Sequence, residues 1–293
     1  KARAWLAYLA VEADRPHSRD ALAGLLWPEQ PQRKARHNLR QALSHLRQAI
    51  HDQDEKIPFL LVSRQSVQFN RESEHWLDVA AFTDLLAACH VHRHRRLETC
   101  RSCMQRLAQA IALYQGDLMQ QFFLQDSAPF EEWALLRREW LHRQAVDALS
   151  NLAAYHERRR DYALARQCAW RLVELDAWRE EAHRQLMRLL ALDGQRSAAL
   201  AQYETCRRML AQELGVLPTA ETVTLYERIR DGEPEGGLGG GIAALFPWTA
   251  ARLDNLQPFS TPFVGRQEEL AELADLLVDP DCRLLSLVGP GGI

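Results

Sequence analysis

The chain has no apolar run approaching the roughly 18 residues that a membrane-spanning helix needs, which excludes a helical membrane protein. No charged-then-apolar signal segment follows Lys1. Helix breakers are scarce: between residues 59 and 217 the only proline is Pro129, and of the glycines only Gly24, Gly116, Gly194 and Gly215 precede residue 232. A stretch so poor in both breakers reads as packed helices. The six cysteines, at 89, 100, 103, 168, 206 and 282, follow no regular disulfide framework, so they read as reduced thiols in a cytoplasm. Catalytic signatures are missing as well. There is no Gly-x-Ser-x-Gly and no His-Glu-x-x-His, and the neighbouring carboxylates Glu131-Glu132 and Glu180-Glu181 would point in different directions on helices. No enzyme is expected within these residues. The chain also lacks an initiating Met and stops directly after Gly289-Pro290-Gly291-Gly292, so both ends read as cut from a longer protein.

What is present is uneven. The net charge is −3, but residues 1–70 carry eleven Lys/Arg against seven Asp/Glu, a basic head on an acidic remainder. In that head a helix is expected over residues 1–13, ended by Pro16. Ser18 reads as the N-cap of a second helix carrying Leu22, Leu25 and Leu26. A third helix, residues 31–50, has apolar residues at 35, 39, 42, 43, 46, 49 and 50, which follow the 3.6 period. After Pro58, residues 59–63 and 66–70 look like two short strands joined by Arg64-Gln65 as a two-residue turn. Asp78 reads as the N-cap of a helix to about Cys89, and further helices are expected over 97–114 and 130–159. The 130–159 helix would bury Trp133, Leu136, Trp140, Leu141, Leu149 and Leu152, and the tryptophans at 133, 140, 170 and 178 read as core. Ala148, Leu152, Asp161-Tyr162 and Ala165 recur as Ala182, Leu186, Gln195-Arg196 and Ala199, a spacing of 34 that is the tetratricopeptide period. Residues 232–262 begin with a glycine-rich linker, and a strand at 284–288 leads into the terminal glycines.

Three constellations carry chemistry. Opposite the apolar stripe of helix 31–50 lie Arg33, Arg36, His37, Arg40, Ser44 and Arg47, with Lys34, Asn38 and Gln41 on the flanks and no acidic residue from Gln30 to Ile50. Cations neutralise phosphates, while Arg, Asn, Gln and Ser read base edges. Two short helices before this helix and a hairpin after it make a winged helix-turn-helix, with helix 31–50 entering the major groove and Arg64 touching the backbone or minor groove. The plain alternative is a solvated basic face. The second constellation is Gly289-Pro290-Gly291-Gly292 after an apolar strand, which fits the first half of a phosphate loop; an ordinary strand-to-helix turn is the alternative. Third, His92, His94, Cys100 and Cys103 could complete a structural zinc tetrahedron, the alternative being a basic loop with two packed thiols.

Leu25-Leu26-Trp27-Pro28, with Ala35-Arg36-x2-Leu39-Arg40-x2-Leu43-Ser44-x-Leu46-Arg47, resembles the winged-helix region of the Streptomyces antibiotic regulatory protein family. Leu113-Tyr114-x-Gly116-Asp117-Leu118, Glu131-Glu132-Trp133 and Tyr203-Glu-x-Cys-Arg-Arg-x-Leu-x2-Glu213-Leu-Gly215 resemble the bacterial transcriptional activator domain. Phe263-Val264-Gly265-Arg266 with the terminal glycines resembles the start of a STAND/NB-ARC-like signal-transduction ATPase module. The expected fold is thus mainly α: a winged helix with a small β-hairpin wing (residues 1–72), an all-α tetratricopeptide-like domain (73–231), a linker (232–262) and the start of an α/β P-loop domain (263–293). The winged helix of the family opens with strands ahead of its first helix, which this chain lacks.

The resemblance implies a transcriptional regulator, an activator, that binds double-stranded promoter DNA, contacts RNA polymerase and forms a homodimer. In the full-length protein ATP would bind with Val264, Gly265 and Arg266 near the adenine and Gly289, Gly291 and Gly292 under the phosphates. Two rival readings use the same residues: a tetratricopeptide-like protein-interaction scaffold, and the regulatory part of a signalling ATPase without direct DNA binding.

Overall fold

The computed structural model describes residues 1–52, 54–93 and 96–232. Three helices and a three-stranded sheet open the chain. Helix α1 (Ala2–Val11) buries Ala4, Trp5 and Leu9. Ser18 caps α2 (Arg19–Leu26) as its side chain accepts the Ala21 N–H at 3.1 Å. Helix α3 (Gln32–Ala49) buries Ala35, Leu39, Leu43 and Leu46 and follows Pro31 at its N-cap. Strands β2 (Leu60–Val62) and β3 (Ser66–Phe69) form the expected hairpin. Its turn has neither Gly nor Asn. Instead the Ser63 hydroxyl accepts the N–H groups of Gln65 and Ser66 at 3.1 and 2.9 Å, so a side chain satisfies the turn. A two-residue strand, β1 (His17–Ser18), pairs antiparallel with β3 and sets the sheet order β1-β3-β2. Two residues are too few to show a strand period, which is why the sequence pattern missed it.

The helical body follows as α4 (Asp78–Val91), α5 (Arg101–Leu113), α6 (Ala128–Arg158), α7 (Tyr162–Leu175), α8 (Glu180–Leu192), α9 (Arg196–Met209) and α10 (Ala220–Asp231). Asp78 lies in the first turn of α4, not at its cap; Leu77 takes that place. The helix expected over 97–114 divides into a single 3-10 turn, Leu97–Thr99, and α5.

The 34-residue repeat holds bond by bond. The turn after α6 has Asp161 N–H donating to the His156 carbonyl and Arg160 N–H to the Glu157 carbonyl. The turn after α8 has Gln195 N–H on Leu190 and Gly194 N–H on Ala191, each 34 residues later. The left-handed residue that closes each turn is Arg160 (φ 58°) in the first and Gly194 (φ 74°) in the second. Ala148 and Ala182, Leu152 and Leu186, and Ala165 and Ala199 are buried in both copies.

Helix α6 contributes to three apolar clusters, one of them with Leu172 of α7 and Ala182 of α8, and two of them together join the head to the body. Phe130 and Ala134 pack with Trp5, Leu26, Leu39 and Val67 of the winged helix. Leu141, Ala145, Ala148 and Leu152 pack with Phe82, Leu86 and Leu107 of α4 and α5. Winged helix and helical body therefore lie in one compact unit, although the chain pattern changes near residue 72. Leu136 is 63% exposed, contrary to the expected buried stripe, and so are Trp170 and Trp178 at 44% and 55%. Among the described residues no helix is long and apolar enough to cross a membrane.

Two expectations follow. A Cβ at residue 194 would meet open space, so Gly194→Ala should cost only the left-handed backbone strain. That strain is about 1 kcal/mol, read as a lower urea midpoint. His183 is buried, donates from Nε2 to the Ala177 carbonyl and accepts from Gln202 at Nδ1, at 2.9 and 2.8 Å. Burial holds its pKa below the usual 6.5. The unfolded chain takes up that proton first, so stability should fall as pH drops through 6.5 toward the lower folded value. Melting temperatures taken from pH 7.5 to 5.5 should show this fall in the parent, and a shallower one in His183→Gln.

Candidate nucleic-acid interface

Helix α3 stands with one side in the core and the other in solvent. The 3.6-residue period that buries Ala35, Leu39, Leu43 and Leu46 turns Arg33, Arg36, His37, Arg40 and Ser44 outward together, and all five are exposed. Lys34 and Gln41 are exposed on the flanks, and Asn38 is half-buried. Arg64 is exposed in the hairpin turn of the wing. The structure thus gathers the expected cations on one helix face, with Arg64 presented separately by the wing.

Two of the expected contact residues already have partners. Arg47 is half-buried, and its Nε donates to Asp52 Oδ2 at 2.7 Å. Asp52 is 1% exposed, and its Oδ1 accepts the Leu60 N–H at 2.9 Å. One carboxylate thereby joins the end of α3 to the first strand of the wing, and Arg47 acts as a brace. Arg36 forms a two-pronged, solvent-exposed pair with Asp20 at the start of α2, its Nη2 lying 2.5 Å from Oδ2. These hydrogen bonds hold the Asp20 carboxyl below its usual range and raise the Arg36 guanidinium. Arg19 ties the start of α2 to the wing through two bonds to the Ser63 carbonyl, at 3.1 and 2.9 Å.

Sequence reasoning missed the groups that hold this head in place. Glu12 is 7% exposed and accepts Trp133 Nε1 at 2.8 Å and Arg137 Nε at 2.7 Å, both from α6. The Ser127 hydroxyl, just before α6, donates to the Leu25 carbonyl. Lys1 pairs with Asp126 at 2.9 Å and donates to the Leu26 carbonyl. These partners are more than 100 residues apart, or 25 for Lys1 and Leu26, and no local pattern pairs them. Asp52 alone offered a signal, as the first acid after a long acid-free helix.

Of the expected zinc ligands, three converge. His92 Nδ1 lies 3.2 Å from Cys103 Sγ and 3.5 Å from Cys100 Sγ. Cys100 is the N-cap residue of α5, where the Cys103 backbone N–H lowers its pKa. Burial pushes the Cys103 thiol up to about 12. His94 lies outside the described residues, as do Val264, Gly265, Arg266, Gly289, Gly291 and Gly292.

Residues 77–230 match the family model of the bacterial transcriptional activator domain. Regulatory protein AfsR of Streptomyces coelicolor is 28% identical over 289 residues, covering 94% of this chain and 26% of that protein. Its counterpart in Streptomyces griseus is 27% identical over 309 residues, covering 99% of this chain and 28% of that protein. The chain therefore spans about a quarter of the length of these relatives. Among solved structures, Mycobacterium tuberculosis EmbR in complex with a low-affinity phosphopeptide superposes with a TM-score of 0.58 at 22% identity, over 83% of this chain and 64% of that one. At that identity the likeness speaks for the fold.

The brace at Asp52 gives a measurable expectation. Asp52→Ala strands the Arg47 guanidinium and the Leu60 N–H, which should cost about 2 kcal/mol. Urea denaturation reads it. An unchanged midpoint would mean that Arg47 is free to act as a contact residue after all.

Proposed function

Because the chain belongs to the bacterial transcriptional activator domain family, we propose that it regulates transcription by binding promoter DNA through α3 and the wing, as an activator. One observation carries this reading: the solvent face of α3 gathers Arg33, Arg36, His37 and Arg40 with the hydrogen-bonding Gln41 and Ser44, and the helix contains no acidic residue. Such a face supplies both the cations that neutralise phosphates and the amides and hydroxyls that read base edges. Arg33, Lys34, Arg36 and Arg40 contact the duplex from the groove, while Arg64 reaches the backbone from the wing. Arg36 exchanges Asp20 for a phosphate or a guanine edge, so Asp20 weakens binding and sharpens its discrimination against unspecific phosphates.

In this reading the helical body contacts RNA polymerase and a second copy of the chain. Residues 263–293 begin a nucleotide-binding module of the longer protein, with ATP held by the loop at Gly289, Gly291 and Gly292 and by the segment Val264-Gly265-Arg266. The Gly-Lys-Ser/Thr of a phosphate loop directly after Ile293 is what this part of the proposal requires.

Mobility shifts on promoter fragments test the central claim. Five phosphate contacts give a log–log salt slope of about −4.5. Arg40→Ala should flatten that slope by about 1 and weaken binding roughly tenfold, and Asp20→Asn should tighten it. Full affinity in both Arg36→Ala and Arg40→Ala would remove α3 as the recognition helix and favour a protein-binding scaffold.

A further inference from the structure

The thiols and the imidazole at the α4–α5 junction are not needed for DNA binding, yet they converge. Cys89 lies in the last turns of α4 and His92 directly after that helix, while Cys100 caps α5 and Cys103 sits in its first turn. Read by contact rather than by order, the spacing is Cys-x2-His followed by Cys-x2-Cys. Each pair places two ligands one helical turn apart, on one side of its own segment. The ligand atoms of His92, Cys100 and Cys103 all lie within 4.8 Å of one another. The distances of 3.2 and 3.5 Å from His92 Nδ1 to the two sulfurs are close to the separation of about 3.6 Å expected between sulfur and nitrogen ligands on one tetrahedral zinc ion. The nearest further thiol is Cys89, which stands outside that trio and would have to turn from the Cys103 carbonyl toward the ion to become the fourth ligand. Cys89 is 4% exposed, and its thiol sits against Cys103, 3.6 Å from that residue's carbonyl oxygen.

The surroundings fit an anionic centre. Three thiolates and an imidazole around a divalent ion leave a charge of −1. Arg106, one turn beyond Cys103 on α5, acts electrostatically on Cys100, and its Nη1 is buried without a hydrogen-bond partner. A guanidinium placed in this way balances the charge. Soft sulfur ligands in a closed tetrahedral set select zinc over hard cations.

We propose that Cys89, His92, Cys100 and Cys103 bind one structural zinc ion that staples the end of α4 to the start of α5. His92 directly follows α4 and Cys100 directly precedes α5, whereas Cys89 and Cys103 sit in the core with Phe82, Leu86 and Met104. The ion therefore fixes the loop to a rigid base. With no vacant coordination position it has no catalytic role.

The test uses the full chain, purified under reducing conditions, and reads metal on the protein alone, so its outcome does not depend on DNA binding. Elemental analysis should find one zinc per chain. Cobalt loading should give a tetrahedral visible band and a thiolate-to-cobalt charge-transfer band. Cys100→Ser and His92→Ala should lose stoichiometric metal, while Cys168→Ser keeps it. Cys89→Ser should lose one of three thiolate contributions from the charge-transfer band, and His94→Ala should leave the spectrum unchanged. Metal-free protein that gives no cobalt charge-transfer band would overturn the site. So would a spectrum that His94→Ala alters and Cys89→Ser does not, because the fourth ligand would then be the imidazole and not the thiol.

Discussion

Phe130 and Ala134 lie in one apolar core with Trp5, Leu39 and Val67, and three turns further along the same helix Leu141 and Ala145 lie in another with Phe82 and Leu107. A rigid helix of 31 residues, about 46 Å long, cannot shift in one core without moving in the other. Complete burial of Phe130 alone is worth about 2–3 kcal/mol. The buried Glu12 carboxylate, held by Trp133 and Arg137, adds a polar contact that is costly to leave half-made. The orientation of the winged-helix head relative to the helical body is set by this shared helix.

From that anchor the rest of the head is positioned by short links. Lys1 and Ser127 fasten the end of α2 to the start of α6. Arg19 fastens the start of α2 to the wing, and Asp52 fastens the end of α3 to it. Helix α3 is left with one free face, and that face carries its charge. A signal that altered the packing of α6 would thus reach α3 through packed apolar residues and fixed ion pairs, without needing a flexible segment. Beside the basic face of α3, Asp20 is an acid that already holds the Arg36 guanidinium.

Legibility in the sequence followed the range of the interaction. The stripe of α3 and its cationic face were readable because both arise from one period within one helix. The 34-residue repeat was readable because residue types recur in register along the chain, down to the alanines at 148, 165, 182 and 199. The hairpin was readable from two short apolar, β-branched runs around a two-residue gap, but its turn was closed by Ser63, whose role rests on two hydrogen bonds and not on a turn-specific residue type. Strand β1 was hidden by its length. Leu136, Trp170 and Trp178 were misread as core because hydrophobicity marks which residues can be buried, while the packing of whole elements decides which ones are.

The sequence by itself determined the helices, the repeat, the wing and the chemistry of the face that α3 presents, since each shows as a local pattern or as the recurrence of one along the chain. Tertiary structure alone decided the double burial of α6, the conversion of Arg47 from a contact residue to a brace, the pairing of Arg36 with Asp20, and the meeting of Cys89 with Cys103. Those outcomes join residues that are distant along the chain or lie on different elements. Their distances are set by how whole helices pack, which no local period encodes.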